Sequence, residues 1–145
     1  SIMSHVDPAT IGLAAVVRPG ADVTVVAVSR MVQVAMSAAE KLAADGVDVE
    51  VVDLRTVSPI DLETITESIR RTGRLVVAHE AVVTGGLGAE LVAGVHAAAF
   101  NSLTSPAIRV GAPFTPVPAS PHLERLYVPS VDDVIAAVLE TLPER

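Results

Sequence analysis

His79 and Glu80 stand side by side at the end of an apolar run, and an imidazole beside a carboxylate can exchange a proton near neutral pH. The residues that follow, Ala81-Val82-Val83, lack the second histidine of a zinc-protease helix, so the metal reading fails on spacing. Gly85-Gly86-x-Gly88 opens a helical pattern and could offer backbone amides to a phosphate. It is neither G-x-G-x-x-G nor a P-loop, and Glu90 in the first turn would repel a phosphate, so tight turning and close packing account for the glycines. Asp53 and Arg55 leave a buried run together, at what reads as the carboxyl end of a strand, where open α/β sheets gather ligands. The plainer reading of that pair is a strand-end cap. His96 reads as a packing or interface residue, His122 as a solvent-facing loop residue and His5 as part of the tail. Asp132, Asp133, Glu140 and Glu144 read as a solvated helix face. There is no G-x-S-x-G elbow, and without cysteine there is no thiol nucleophile, disulfide or cysteine metal site. The sequence assigns no catalytic, cofactor-binding or metal-binding residue.

The elements that would position these groups alternate. Leu13 to Val17 suits a short edge strand, Arg18-Pro19-Gly20 a turn, and Asp22 to Val28 a buried strand. Met31, Ala35, Ala38 and Leu42 then recur at helical spacing, and Gly46 stops that helix before the strand Val49 to Val52. This is a βαβ unit. Ser58, Pro59 and Asp61 read as the start of the next helix, with the serine oxygen as cap and the acid on its third position. Leu62, Ile65 and Ile69 line one face of it, Gly73 ends it, and Leu75 to Ala78 forms a strand. The helix from about Leu87 to Phe100 is apolar nearly all round and reads as well buried, with Val92 to Ala99 either inside the domain or turned to a partner. Ala107 to Val110 is a further strand, and Ala112 to Pro129 a proline-rich surface excursion. Ser130 and Asp133 form a capping-box variant ahead of an amphipathic helix marked by Val131, Val134, Ile135, Val138 and Leu142. Such alternation implies a three-layer α/β/α sandwich on a mostly parallel sheet of about five strands.

A chain of 145 residues suits one domain and can bury roughly 70% of its unfolded surface. Half the residues are hydrophobic yet only two are Phe and one Tyr, so the core must be aliphatic, which favours regular sheet and helix packing over an aromatic pocket. A net charge of −7 argues against nucleic acid, and Arg70-Arg71-Arg74 fits the negative end of a helix better than a phosphate backbone. No apolar stretch is long enough for a membrane span, and Ser1 to Ile11 lacks a secretory pattern. The expectation is a soluble cytoplasmic protein, and the excess of arginine over lysine points to a GC-rich bacterial genome. Residues 1–11 read as a linker or an expression scar, and 12–145 as the domain.

One set of motifs adds a family. Val49-Glu-Val-Val-Asp-Leu-Arg-Thr-Val-Ser-Pro-Ile-Asp61, Gly73-Arg-Leu-Val-Val-Ala-His-Glu80, Gly85-Gly-Leu-Gly-Ala-Glu90 and Thr115-Pro-Val-Pro118, followed by Leu123-Glu124, Tyr127 and Pro129-Ser130, occur in one order. From about Gly12 onward this resembles the carboxyl-terminal domain of the E1 beta subunit of 2-oxo acid dehydrogenase complexes, in the transketolase superfamily. Relatives commonly carry Asp before Thr-Pro-Val-Pro; Phe114 stands there instead. The resemblance implies an antiparallel first edge strand and a parent enzyme that uses thiamine diphosphate and Mg. It also implies that the Gly-Asp-Gly diphosphate element and the activating glutamate lie outside this chain. The domain is then expected to be inactive alone and to serve assembly. Its implied partners are the E1 alpha subunit, a second E1 beta in an alpha2-beta2 tetramer, and the small, usually basic E2 subunit-binding domain, met by Glu140, Glu144 and the terminal carboxylate of Arg145. The alternatives are the corresponding domain of transketolase, 1-deoxyxylulose-5-phosphate synthase or a 2-oxo acid oxidoreductase, or a free-standing binding module.

Overall fold

A computed structural model describes residues 11–143, so His5, Glu144, Arg145 and nearly all of the expected linker lie outside the described residues. The elements are β1 (Ala15–Arg18), β2 (Val23–Ala27), α1 (Met31–Ala44), β3 (Val49–Asp53), α2 (Leu62–Thr72), β4 (Leu75–Val82), α3 (Leu87–Ala99), a 3-10 turn (Phe100–Ser102), β5 (Ile108–Ala112), α4 (Pro121–Tyr127) and α5 (Val131–Thr141). The sheet order is β1-β3-β2-β4-β5, with β1 antiparallel to β3 and every other pair parallel. This is the expected architecture, edge strand included.

The two faces of the sheet are both covered, which is why the central strands read as unbroken apolar runs. Val25 and Ala27 of β2 face Met31, Ala35 and Leu42 of α1 and Val134 and Val138 of α5. Val26, Val52 and Val77 face Ile65 and Ile69 of α2 and Leu91 and Val95 of α3. One charged group enters the second layer. Glu50 is 2% exposed and accepts from Arg71 at 2.7 Å and from the Thr24 hydroxyl at 3.2 Å, which leaves the Thr24 oxygen to accept the Thr72 hydroxyl at 2.7 Å.

Several boundaries differ from the sequence reading for physical reasons. Helix α2 begins at Leu62, and Asp61, not Ser58, is its cap: Oδ1 accepts the Thr64 amide at 3.1 Å. Asp61 Oδ2 takes the Thr64 hydroxyl at 2.7 Å and the Ala14 amide at 2.9 Å, so one carboxylate fastens the entry to β1 onto the helix start. Gly73 closes α2 at φ +71°, a conformation that a side chain resists, with its amide on the Ile69 carbonyl. Strand β4 runs four residues past Ala78 and carries His79 and Glu80 within it. The proline-rich excursion contains α4, started by Pro121 in the first turn, where a missing amide costs nothing. The Ser130–Asp133 capping box is present with both reciprocal bonds.

Candidate functional site

The carboxyl ends of β2, β3 and β4 bring together the residues that most resembled chemistry. Asp53 accepts the backbone amide of Arg55 at 3.0 Å, with Arg55 held at φ +58°, so the pair shapes its own turn. Glu80 faces Arg30, at the start of α1, across 3.7 Å, with both side chains substantially exposed, a pair of small energetic weight.

His79 lies within β4 and points to the opposite side, under the start of α3, 2% exposed. Its Nδ1 is 3.0 Å from the Ala81 carbonyl, which can only accept, so Nδ1 carries the proton and Nε2 a lone pair. Nε2 is buried and has no partner. Burial lowers the imidazole pKa; the Ala81 bond raises it and the Arg109 charge lowers it again, with a net shift down. A buried, neutral ring out of reach of a reactant is a packing group. It also explains the glycines. A Cβ on Gly88 would lie 2.5 Å from Nε2, one on Gly111 2.8 Å from Cε1, and one on Gly86 would strike the Val82 carbonyl. The glycine-rich turn is therefore shaped around an imidazole, which gives the close packing expected of these glycines a partner that the sequence did not reveal. No group of His, Asp and Glu among the described residues could hold a metal ion.

The opposite edge of the sheet offers a different chemistry. Helix α3 buries only Gly88, Leu91, Val95 and Ala99, leaving Ala93, His96, Ala97 and Ala98 exposed; the expected all-round burial is corrected, and the partner-facing alternative is the one the geometry matches. An all-apolar alanine run carries too little volume to demand a core position. His96 packs on Phe100, with ring centroids 4.6 Å apart, and Phe100 is 59% exposed. With Val92, Leu103 and Pro106 these rings line a surface pocket of about 360 Å³, beside which the Ser105 hydroxyl is buried without a partner. The corner Gly73–Arg74 ties this region to the end of α5. Thr104 donates to the Gly73 carbonyl at 2.8 Å, and Arg74 donates to the Thr141 carbonyl at 3.0 Å. Glu140, exposed on the last turn of α5, belongs to the helix on the other face of the sheet and lines a separate groove beside β5. His122 is exposed on α4, and Phe114 is 75% exposed in the loop before it. Sequence reasoning singled out Glu140 and did not single out Phe100 or Leu103; an aromatic just past an alanine-rich helix was the available signal.

Comparison with known proteins agrees with this architecture. Residues 12–134 match the family described as "Transketolase, C-terminal domain". The beta subunit of acetoin:2,6-dichlorophenolindophenol oxidoreductase from Cupriavidus necator is 44% identical over 90% of this chain and 39% of its own length. The pyruvate dehydrogenase E1 component subunit beta of Rickettsia bellii is 42% identical over 94% of this chain and 42% of its own, and that of Staphylococcus aureus 44% identical over 91% and 40%. The chain thus spans about two fifths of the length of the curated relatives it matches. Among solved structures, a split-gene transketolase described as an inactive beta4 tetramer superimposes with a TM-score of 0.83 at 33% identity, over 98% of this chain and 45% of that one. With these matches over nearly all of its described length, the chain belongs to the transketolase C-terminal domain family, and its relatives there are E1 beta subunits.

Proposed function

We propose that this chain is the assembly domain of an E1 beta subunit, extending from residue 12 to the end, in a cytoplasmic bacterial enzyme that decarboxylates a 2-oxo acid on thiamine diphosphate and passes the acyl group to the lipoyl group of E2. Pyruvate and branched-chain 2-oxo acids are the substrate class, and the 44% identity to an acetoin enzyme favours acetoin cleavage as the second reading. The described residues do not fit thiamine diphosphate and its Mg. The one glycine-rich helix start is filled by His79, and the described carboxylates form no ligand set, so the rest of the enzyme would hold the cofactor. The domain's own work is contact: with E1 alpha, with a second E1 beta, and with the E2 subunit-binding domain.

The observation that carries the docking role is the exposed apolar pocket of Phe100, His96 and Leu103. An exposed apolar anchor is the usual centre of a protein interface, and a net charge of −7 suits a basic partner. Glu140, Glu144 and the Arg145 carboxylate supply the charge that meets a basic partner in this proposal. Calorimetric titration with the E2 subunit-binding domain at two salt concentrations tests it. Phe100→Ala should weaken binding by roughly tenfold or more, as loss of a central anchor does. Glu140→Lys should weaken binding and flatten its salt dependence. A folded chain that does not bind, or that binds with neither substitution having an effect, removes the docking role.

A further inference from the structure

The sheet ends on β5, and its outer edge is open among the described residues. The Ala112 carbonyl accepts the Val83 amide at 3.0 Å, so the peptide groups of Ala112 turn toward β4. By the two-residue period of a strand, those of Ile108 and Val110 turn the same way, and those of Arg109 and Gly111 turn outward. Proteins normally blunt such an edge with lysine, proline or a bulge. Strand β1, at the other edge, has an irregular register between Val16 and Arg18, and Arg18 covers the Val49 carbonyl. Strand β5 contains no lysine or proline, and its one register break with β4 falls at its end, between Val110 and Ala112. Its register is continuous from Ile108 to Val110, and its one charge, Arg109, is spent on the Val83 carbonyl at 3.0 Å.

A groove of about 360 Å³ runs beside Ile108 to Gly111, walled by Leu126 and Val128 at the end of α4 and by Ala136 and Glu140 of α5. Asp133 also lines it, its ionised carboxylate favoured by bonds from the Ser130 hydroxyl and amide at 2.6 and 2.7 Å, and with Glu140 it gives the groove two negative charges outside any ion pair among the described residues. We propose that this groove takes an extended segment of a partner protein as a sixth strand: about five residues, matching β5, alternating small apolar residues with lysine or arginine. Main-chain bonds to Arg109 and Gly111 hold the segment, and a basic side chain meets Glu140.

The probe is a blocked seven-residue peptide alternating valine with lysine and threonine, titrated into the isotope-labelled chain while amide exchange is followed. At saturation the Arg109 and Gly111 amides should exchange at least roughly tenfold more slowly. A peptide N-methylated on alternate residues should not bind. Ala136→Arg is on an exposed helix position and should leave the urea midpoint unchanged while reducing affinity by roughly tenfold or more. Binding that protects no β5 amide overturns the proposal, as does equal affinity of Ala136→Arg. So does protection of the two amides in the free chain that rises with protein concentration, since a second copy would then occupy the edge.

Discussion

Replacing Gly88 by alanine sets two effects against each other, and the structure decides between them. Helix propensity alone predicts a gain of about 0.5–1 kcal/mol. The added Cβ, however, would lie 2.5 Å from His79 Nε2 and 2.9 Å from Cδ2, well inside contact distance. The ring has no room to retreat, because the backbone at Gly111 closes its far side and Nδ1 is bonded to the Ala81 carbonyl at 3.0 Å. Overpacking of this kind costs roughly 1–3 kcal/mol. Turning the ring away would leave the Ala81 carbonyl unpaired, at a similar cost of roughly 1–3 kcal/mol. After the propensity gain, the net loss is about 1 kcal/mol, or roughly 2–4 °C in Tm for a chain of this size. Urea and thermal unfolding followed by circular dichroism measure it directly. Gly94→Ala, in the same helix, supplies the contrast: its Cβ meets the terminal methyls of half-buried Leu62 at 2.9 and 3.0 Å, which can swing aside, so that variant should be near neutral. Combining Gly88→Ala with His79→Ala should recover about 1–2 kcal/mol relative to the sum of the single changes. Equal stability of the two glycine variants would refute the account of His79 as the group that shapes the glycine turn.

Asp61→Ala removes both a helix cap and the fastening of Ala14, for an expected loss of about 2–3 kcal/mol at pH 7. Burial pushes the Asp61 carboxyl up, but bonds from the Thr64 hydroxyl and the Ala14 and Thr64 amides pull it further down, to below its ordinary value. Its stabilisation is therefore complete above the unfolded carboxylate pKa of about 3.9 and is lost as pH falls through the lower folded value. Urea midpoints of the wild type and Asp61→Ala should converge toward pH 2.5; a gap that persists unchanged contradicts the assignment. Arg71→Ala leaves the carboxylate of Glu50, 2% exposed, without its cation and should cost about 1–3 kcal/mol, less than for a fully buried pair because Arg71 is itself half exposed. Arg70→Ala, on the exposed side of the same helix, should stay within about 0.5 kcal/mol, and the same unfolding assay compares the two.

The parts of this fold that could be read from sequence are those in which one physical signal dominates. Val23 to Ala27 and Val49 to Val52 are buried on both faces, so their apolar runs identify parallel strands directly. Gly73 and the Ser130–Asp133 box mark helix ends through local chemistry that needs no tertiary partner. Reading failed where two local signals competed or where the deciding contact was distant. Ser58-Pro59 and Asp61 are both plausible caps on sequence grounds; Asp61 prevails because the same carboxylate also serves Ala14, 47 residues away. His79 invited a chemical reading because nothing nearby in sequence shows that Gly86, Gly88 and Gly111 enclose it. Helix α3 is the instructive case for function. Its apolar composition carries the same pattern whether the far face meets a core or a partner, and only the placement of Val95 inward and Ala93, Ala97 and Phe100 outward separates the two. Under the proposed assembly role, the residues that matter are apolar ones left outside a core already complete without them. Periodicity reports the inward stripe of such a helix, and the outward one becomes legible when the sheet has fixed which side of α3 is occupied.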